Sequence, residues 1–235
     1  MKYLPIIILV ILAGLFFYSG YYHYLTFDSL KIHRQLLLNW TEQHYVQAVL
    51  LYGVVYIITV ACSIPGATIL TLAGGFLFGW LWGSIYVVIS ATLGATLLFL
   101  AVKLAFRDWM AKRSSKWVKN MEKGFQQNAF SYLLFLRFIP LFPFWLVNIV
   151  PALLGVRLQI FMIATFLGII PGSVVYVSVG NGLGTIFDQN KTPDFSIIFS
   201  PAILLPLIGL AILSLLPIGY RLWKGDQKYD NTHRS

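Results

Sequence analysis

No Asp, Glu, Lys or Arg stands between Glu42 and Lys103. About 20 apolar residues cross the hydrocarbon core of a bilayer, so this uncharged run is too long for one span. Pro65-Gly66 divides it, and Gly74-Gly75, Gly79 and Gly83 follow. The pattern predicts a helix over 45–64 running into the membrane, a broken re-entrant return over 65–79 and a full span over 80–102. A complete crossing at 45–64 stays open. Irregular backbone at that depth has to be shielded by protein or line a cavity, because lipid cannot satisfy free N–H and C=O groups. Gly75, Gly79 and Gly83 also recur at every fourth residue, a spacing that lets a second helix approach closely. Direct ligand contact by these glycines is the other reading.

The rest of the chain agrees with a polytopic membrane protein. Hydrophobic residues make up 58% and charged residues 11%, with a mean hydropathy of +0.77, whereas soluble domains carry about 25% charged residues. The N-terminus, Met1-Lys2-Tyr3-Leu4-Pro5 and then Ile6 to Phe17, lacks a small-x-small cleavage site and ends in Tyr18-Ser19-Gly20-Tyr21-Tyr22. That fits an uncleaved anchor with an interfacial aromatic belt rather than a signal peptide. Cys62 is the only cysteine, which excludes an intramolecular disulfide and multi-thiolate metal sites. His23, His33, His44 and His233 lie near segment ends or in tails and read as ordinary interfacial residues. No metal and no cofactor is expected.

The formal charge of +9 does not point to nucleic acid, because the cations concentrate beside the membrane. Residues 103–123 carry Lys103, Arg107, Lys112, Arg113, Lys116, Lys119 and Lys123 against Asp108 and Glu122. At about 100° per residue, Lys112, Lys116, Lys119 and Lys123 share one side of a helix. Phe106, Trp109, Met110, Trp117 and Met121 share the other. This connector reads as an amphipathic helix on the membrane surface with its basic face toward anionic headgroups. Its Lys/Arg excess places it in the cytoplasm.

Beyond it, a second re-entrant segment is expected over 128–155, broken by Pro140, Pro143 and Pro151. A span over 158–181 and a last span over 197–219 follow. With the anchor at 4–22, this arrangement puts both termini, the connector, Arg157 and the tail cations Arg221 and Lys224 on one side. The loops 23–44 and 182–195, which lack positive bias, fall on the other. The halves also resemble each other at an offset of about 75 residues. Pro65-Gly66, Gly79 and Ala91-Thr92-Leu93-Gly94 match Pro140, Pro143, Gly155 and Ala164-Thr165-Phe166-Leu167-Gly168. Inverted repeats with broken helices near mid-membrane are a transporter architecture, with the site at the repeat interface.

The expected fold is therefore an all-α integral membrane protein: an inverted repeat of two re-entrant helical loops plus spanning helices, flanked by N-terminal and C-terminal transmembrane helices. Residues 1–44 form the anchor and external loop. Residues 45–185 form the membrane domain, with halves 45–102 and 128–181 joined by the connector 103–123. Residues 186–235 form the last helix and a cytoplasmic tail.

Arg137 is the one permanent cation inside the second re-entrant segment. A central intramembrane arginine costs roughly 2.5–3.5 kcal/mol by insertion scales. No carboxylate occurs in 43–102 or 123–187. Carbonyls freed by Pro140 and Pro143, the Asn148 amide, cavity water or an anionic substrate are left to compensate the charge. Arginine's planar fork suits phosphate, with Pro65 and Gly66 facing it from the other segment. Two other readings stand beside this one: Arg137 clasps carbonyls of the opposite loop, or it snorkels to the cytoplasmic interface. Asn148 reads first as a residue that satisfies backbone, and only second as a ligand.

The string Arg137-Phe138-Ile139-Pro140-Leu141-Phe142-Pro143-Phe144 with Asn148, then Phe161, Ala164-Thr165, Gly168, Pro171-Gly172 and Gly180, resembles the VTT-domain family. That family is also called the SNARE-associated Golgi protein family and lies within the DedA superfamily. The first half agrees at Pro65-Gly66, Gly75, Phe78-Gly79, Gly83, Gly94-Ala95, Phe99 and Lys103, the last where an arginine is common. The resemblance covers about 60–185. It implies a multi-pass protein with two facing re-entrant loops and a role in moving lipids across bilayers, in envelope maintenance or in membrane trafficking.

There are departures. Ala152 stands where a glycine is usual, and the missing carboxylates leave a proton relay unsupported. Translocation or scrambling of an anionic lipid or small anionic solute is the first expectation. A structural, membrane-organising role is the alternative. An enzyme would need clusters of His, carboxylate, Ser or metal ligands at depth, and a non-enzyme is expected. The expected partners are membrane lipids with anionic headgroups, with or without a second copy of the chain. The expected location is a bacterial inner (plasma) membrane with both termini cytoplasmic.

Overall fold

The computed structural model describes residues 3–20, 26–106, 128–139, 142–184 and 200–232. In chain order the helices are α1 (Leu4–Tyr18), α2 (Phe27–Ile32), α3 (Arg34–Gln43), α4 (Tyr45–Ala61) and α5 (Ala67–Ala105). Then come α6 (Ala129–Phe138), α7 (Phe144–Leu153), α8 (Leu158–Asn181) and α9 (Pro201–Thr232). The lysine face at Lys112, Lys116, Lys119 and Lys123 lies outside the described residues, as does Pro140.

The breaks fall where the backbone needs residues without a side chain or without an amide. Gly66 turns the chain into α5 at φ 137°. Gly79 then interrupts α5 at φ 75° and ψ 175°, a region that a Cβ makes unfavourable. Residues 67–78 and 80–105 are thus two helices meeting at one glycine, as the division at 79 predicts. In the second half α6 stops at Phe138, and Ile139 is extended, the conformation forced on a residue before proline. Pro143 caps the start of α7.

Among the described residues two helices, α5 and α8, are long and apolar enough to cross a membrane. By contrast α6 and α7 have 10 residues each. At 1.5 Å per residue each is about 15 Å long, half the thickness of a hydrocarbon core.

Three boundaries depart from the sequence reading. The anchor expected over 4–22 stops at Tyr18, because Ser19 and Gly20 (φ 74°) turn the chain. The segment 23–44, expected as a loop, contains α2 and α3. Thr26 caps α2 by accepting a hydrogen bond from the Ser29 amide at 3.3 Å, with Asp28 in the first turn. Helix α9 continues past 219 to Thr232.

Packing centres on α5 and α8, the most extensive helix contact among the described residues. A Cβ on Gly75 would collide with the Val177 carbonyl, and one on Gly180 with the Leu72 carbonyl, so the two main chains touch. The expected ladder of small residues is corrected at its middle rung. Gly83 packs tightly, but Gly79 makes the break, and a Cβ there would meet only Asn181 Oδ1 at 3.8 Å. Without a hydrophobic drive between helices in lipid, such close contact has to come from van der Waals packing. Deeper in the interface the buried rings of Phe99 and Phe161 stack with centroids 4.3 Å apart, a pair that contributes about 0.5–1.5 kcal/mol.

Gly180→Ala should cost about 1–3 kcal/mol, the usual penalty for overpacking. Gly172→Ala in the same helix, where nothing lies within 4 Å, should leave stability unchanged or slightly raised. Thermal unfolding of both variants in detergent checks the contrast.

Candidate functional site: a buried arginine

Arg137 sits in the last turn of α6, directly before the break, and its stem fits against a bare patch of α8. A Cβ on Gly168 would lie 2.7 Å from Arg137 Cβ. The guanidinium therefore reaches across to both α7 and α8. Nη2 donates to Asn148 Oδ1 at 2.6 Å and to Thr165 Oγ1 at 2.9 Å. Two rings lie against it, with Cζ 4.6 Å from the Phe144 centroid and 5.7 Å from that of Phe161. Nε and Nη1 are buried without a hydrogen-bond partner among the described residues, and so is Asn148 Nδ2. A buried donor left unpaired costs about 1–3 kcal/mol, more when charged.

The cation thus has only neutral acceptors. No carboxylate is among its partners within the described residues. Its hydrogen bonds stay inside the second half and do not reach Pro65 or Gly66, so the clasp of the opposite loop is not the contact formed. Burial of Nε and Nη1 also separates it from a snorkelling arginine, whose head group would be hydrated. Asn148, fully buried, serves the guanidinium rather than the backbone.

Arg137 and Phe144 line a cavity of about 330 Å³. Tyr56, Thr68, Thr71, Ser173 and Tyr176 supply the rest of its polar wall. Thr71 gives its hydroxyl hydrogen to the Ala67 carbonyl at 2.8 Å. Tyr56 is therefore the donor in the 2.9 Å contact between the two hydroxyls. A second cavity of ≈ 390 Å³ is lined by Thr59, Ser63, Pro65, Gly66, Phe144 and Trp145. Val60, Ala67, Thr68 and Phe144 line both. Pro65 and Gly66 thus lie across Phe144 from Arg137. Helices α5 and α7 both begin here without a side-chain cap, so their positive dipole ends lie beside the same space.

The sequence model of the VTT domain matches residues 64–182, which contain Arg137, both breaks and the α5–α8 contact. The chain belongs to the VTT-domain family. Among its relatives, Transmembrane protein 41B of Mus musculus is 29% identical over 194 residues, 81% of this chain and 64% of that protein. The Transmembrane protein 41 homolog of Dictyostelium discoideum is 33% identical over 194 residues, 81% of this chain and 56% of the relative. That of Drosophila melanogaster is 30% identical over 191 residues, 80% and 58% respectively. The chain spans 56–64% of the length of these relatives. No solved structure matches it. Membership and the relatives' names agree with the composition: this is a membrane protein.

Within this VTT-domain chain two contributors escape a reading by residue type. Thr165 was legible only as a repeat position, matching Thr92. Yet Thr92 donates back to the Val88 carbonyl at 2.7 Å, whereas Thr165 holds the arginine. Lys103 donates to the Val156 carbonyl at 2.8 Å and lies 5.3 Å from the Phe99 centroid. It thereby ties the end of α5 to the turn at Gly155 (φ 70°) between α7 and α8. Among the histidines, His33 Nδ1 contacts the Ser29 carbonyl at 2.9 Å and His44 stacks on Trp40. Among the described residues no three of His, Cys, Asp and Glu gather as metal ligands.

Lys103→Met keeps the stem but leaves the fully buried Val156 with an unmet carbonyl. It should lower unfolding free energy by about 1–3 kcal/mol, and Lys103→Arg should restore most of that in the same denaturation series.

Proposed function

We propose that this chain moves an anionic lipid, or a small anionic solute, across the membrane through the space between its two broken helix pairs. The observation that carries the reading is the Arg137 guanidinium. It is a permanent cation with no carboxylate partner among the described residues and with buried N–H donors unspent among them, in the wall of a cavity large enough for a phosphate headgroup. A phosphate crossing hydrocarbon alone meets a prohibitive desolvation cost. A buried cation and two uncapped helix ends lower it.

In this reading α6 and α7 form one re-entrant loop, since neither is long enough to cross. Residues 45–78 form the other, and the two dip from opposite faces as an inverted repeat. Residues 45–185 act as the membrane domain, with α1 and α9 as flanking transmembrane helices. Both termini and the lysine face at 112–123 lie in the cytoplasm of an inner (plasma) membrane, where that face meets anionic headgroups. Pro65, Gly66, Pro143 and Asn148 shape the path, with Pro140 at the break. No bond of the lipid is made or broken, and no cofactor takes part.

A second reading draws on a specific contact. Arg137 joins α6 to α7 and α8 through Asn148 and Thr165, so it can brace the fold of a membrane-organising protein. Reconstitution separates the two. In vesicles holding fluorescent phosphatidylglycerol, the wild type should exchange leaflets well above protein-free vesicles. Arg137→Gln should lose at least about tenfold, equal to 1.4 kcal/mol of barrier. Arg137→Lys should fall between them, because an ammonium is a point charge without the fork. Wild-type exchange no faster than protein-free vesicles defeats the transport reading. Failure of Arg137→Gln to fold alongside that result favours the brace.

A further inference from the structure

Arg137 spends both hydrogens of Nη2 inside the protein, one on Asn148 Oδ1 and one on Thr165 Oγ1. A guanidinium offers an oxyanion two pairs of parallel N–H bonds, Nε with Nη2 along one edge and Nη1 with Nη2 along another. Both pairs include Nη2. The donors left over, Nε and Nη1, lie on opposite edges and cannot grip one anion together. As folded, the arginine is present but its fork is closed.

On the translocation reading above, we infer that Thr165 is a resident stand-in for the transported anion, and that phosphate enters the site by exchange. The arriving oxyanion displaces Thr165 Oγ1 from Nη2 and takes Nη2 together with Nη1 or Nε. Asn148 remains, and its unpaired Nδ2 supplies a further donor beside the guanidinium. Thr165 is the partner released because its contact is the longer one and because its hydroxyl has another acceptor within reach. Thr59, Ser84, Thr92, Thr96 and Ser178 all donate to the carbonyl four residues back. Thr165 can do the same on α8 once Arg137 lets go, so both states leave it satisfied.

The exchange also selects the ligand class. A neutral hydroxyl or carbonyl on a lipid offers Nη2 no more than Thr165 already does. A charged oxygen adds ion-pair attraction to the bond, and a phosphate can take two parallel N–H bonds from the fork where Thr165 takes one. The site therefore discriminates for phosphate-type anions by competition against a built-in neutral acceptor.

Ligand binding to the full chain in neutral detergent tests this, read as the rise of the unfolding midpoint with added probe. The probes are dihexanoyl phosphatidylglycerol, inorganic phosphate and, as the uncharged counterpart, dihexanoylglycerol. Thr165→Val keeps the shape and removes the acceptor. It should bind the phosphate probes about tenfold more tightly, since a competing bond to a charged group is gone. Asn148→Asp keeps Arg137 paired but sets a carboxylate on Nη2, and it should bind them at least about tenfold more weakly.

Dihexanoylglycerol should shift none of the three proteins, and a shift equal to that of the phosphate probes overturns the exchange. A shift with inorganic phosphate alone assigns the site to a free anion, and a shift only with the lipid assigns it to a headgroup. Both results support exchange. Thr165→Val binding no tighter than wild type overturns it, even where wild-type vesicles still translocate lipid. If Thr165→Val does not fold, unchanged affinity in Asn148→Asp overturns it instead. A wild type that binds no phosphate probe and moves no lipid removes both the exchange and the translocation reading.

Discussion

The contact between α5 and α8 is close enough that main-chain atoms meet where Gly75 and Gly180 leave out a side chain. Everything else in the fold is arranged along that axis. A helix that stops within a bilayer exposes amides and carbonyls that lipid cannot satisfy. In each half a side chain from another helix meets a buried carbonyl. Tyr52 reaches the Leu70 carbonyl at 2.8 Å in the first half, and Lys103 reaches the Val156 carbonyl in the second. The stacked pair Phe99 and Phe161 fills the space between the ends of the two long helices. Packing here supplies specificity rather than hydrophobic drive, since lipid tails are as apolar as leucine.

Upon that scaffold sits Arg137, a charge that no other described residue neutralises. Neutral acceptors, two aromatic rings and the C-terminal turn of α6 surround Arg137, and each lessens the cost of the cation without cancelling it. A carboxylate in the same place would have made a closed ion pair with nothing left to offer a ligand. The arrangement instead keeps a positive potential in a cavity wall, under the ring of Phe144, which also borders the cavity at Pro65 and Gly66. Phe144 both touches the arginine and lines both spaces.

Much of this was legible before any coordinates. Pro140 and Pro143 told that α6 must end near Arg137, and Gly79 told that the return helix must separate from the span, because these residues change backbone options locally. Thr26 and Asp28 carried a helix-start signal for α2 that the reading of 23–44 as a loop passed over. The glycine ladder misled at Gly79 because an even spacing says nothing about which glycine takes a positive φ. Thr165 and Lys103 were hidden for another reason. Nothing within a few residues of either distinguishes it from Thr92 or from an ordinary cation at a helix end; each is defined by a partner 28 or 53 residues away.

What the sequence determined by itself was the membrane class, the two interrupted segments and the lack of any carboxylate in 123–187 around Arg137. Those follow from composition, from backbone chemistry at single residues and from the mere absence of acids. Which acceptors hold the guanidinium, which of its edges stays unpaired and which cavity it borders were decided only when α6, α7 and α8 packed together. The physical reason is that a hydrogen bond depends on distance in space. The chain brings Asn148 and Thr165 to Arg137 through the break that follows Ile139 and the turn at Gly155, which no local pattern of side chains spells out.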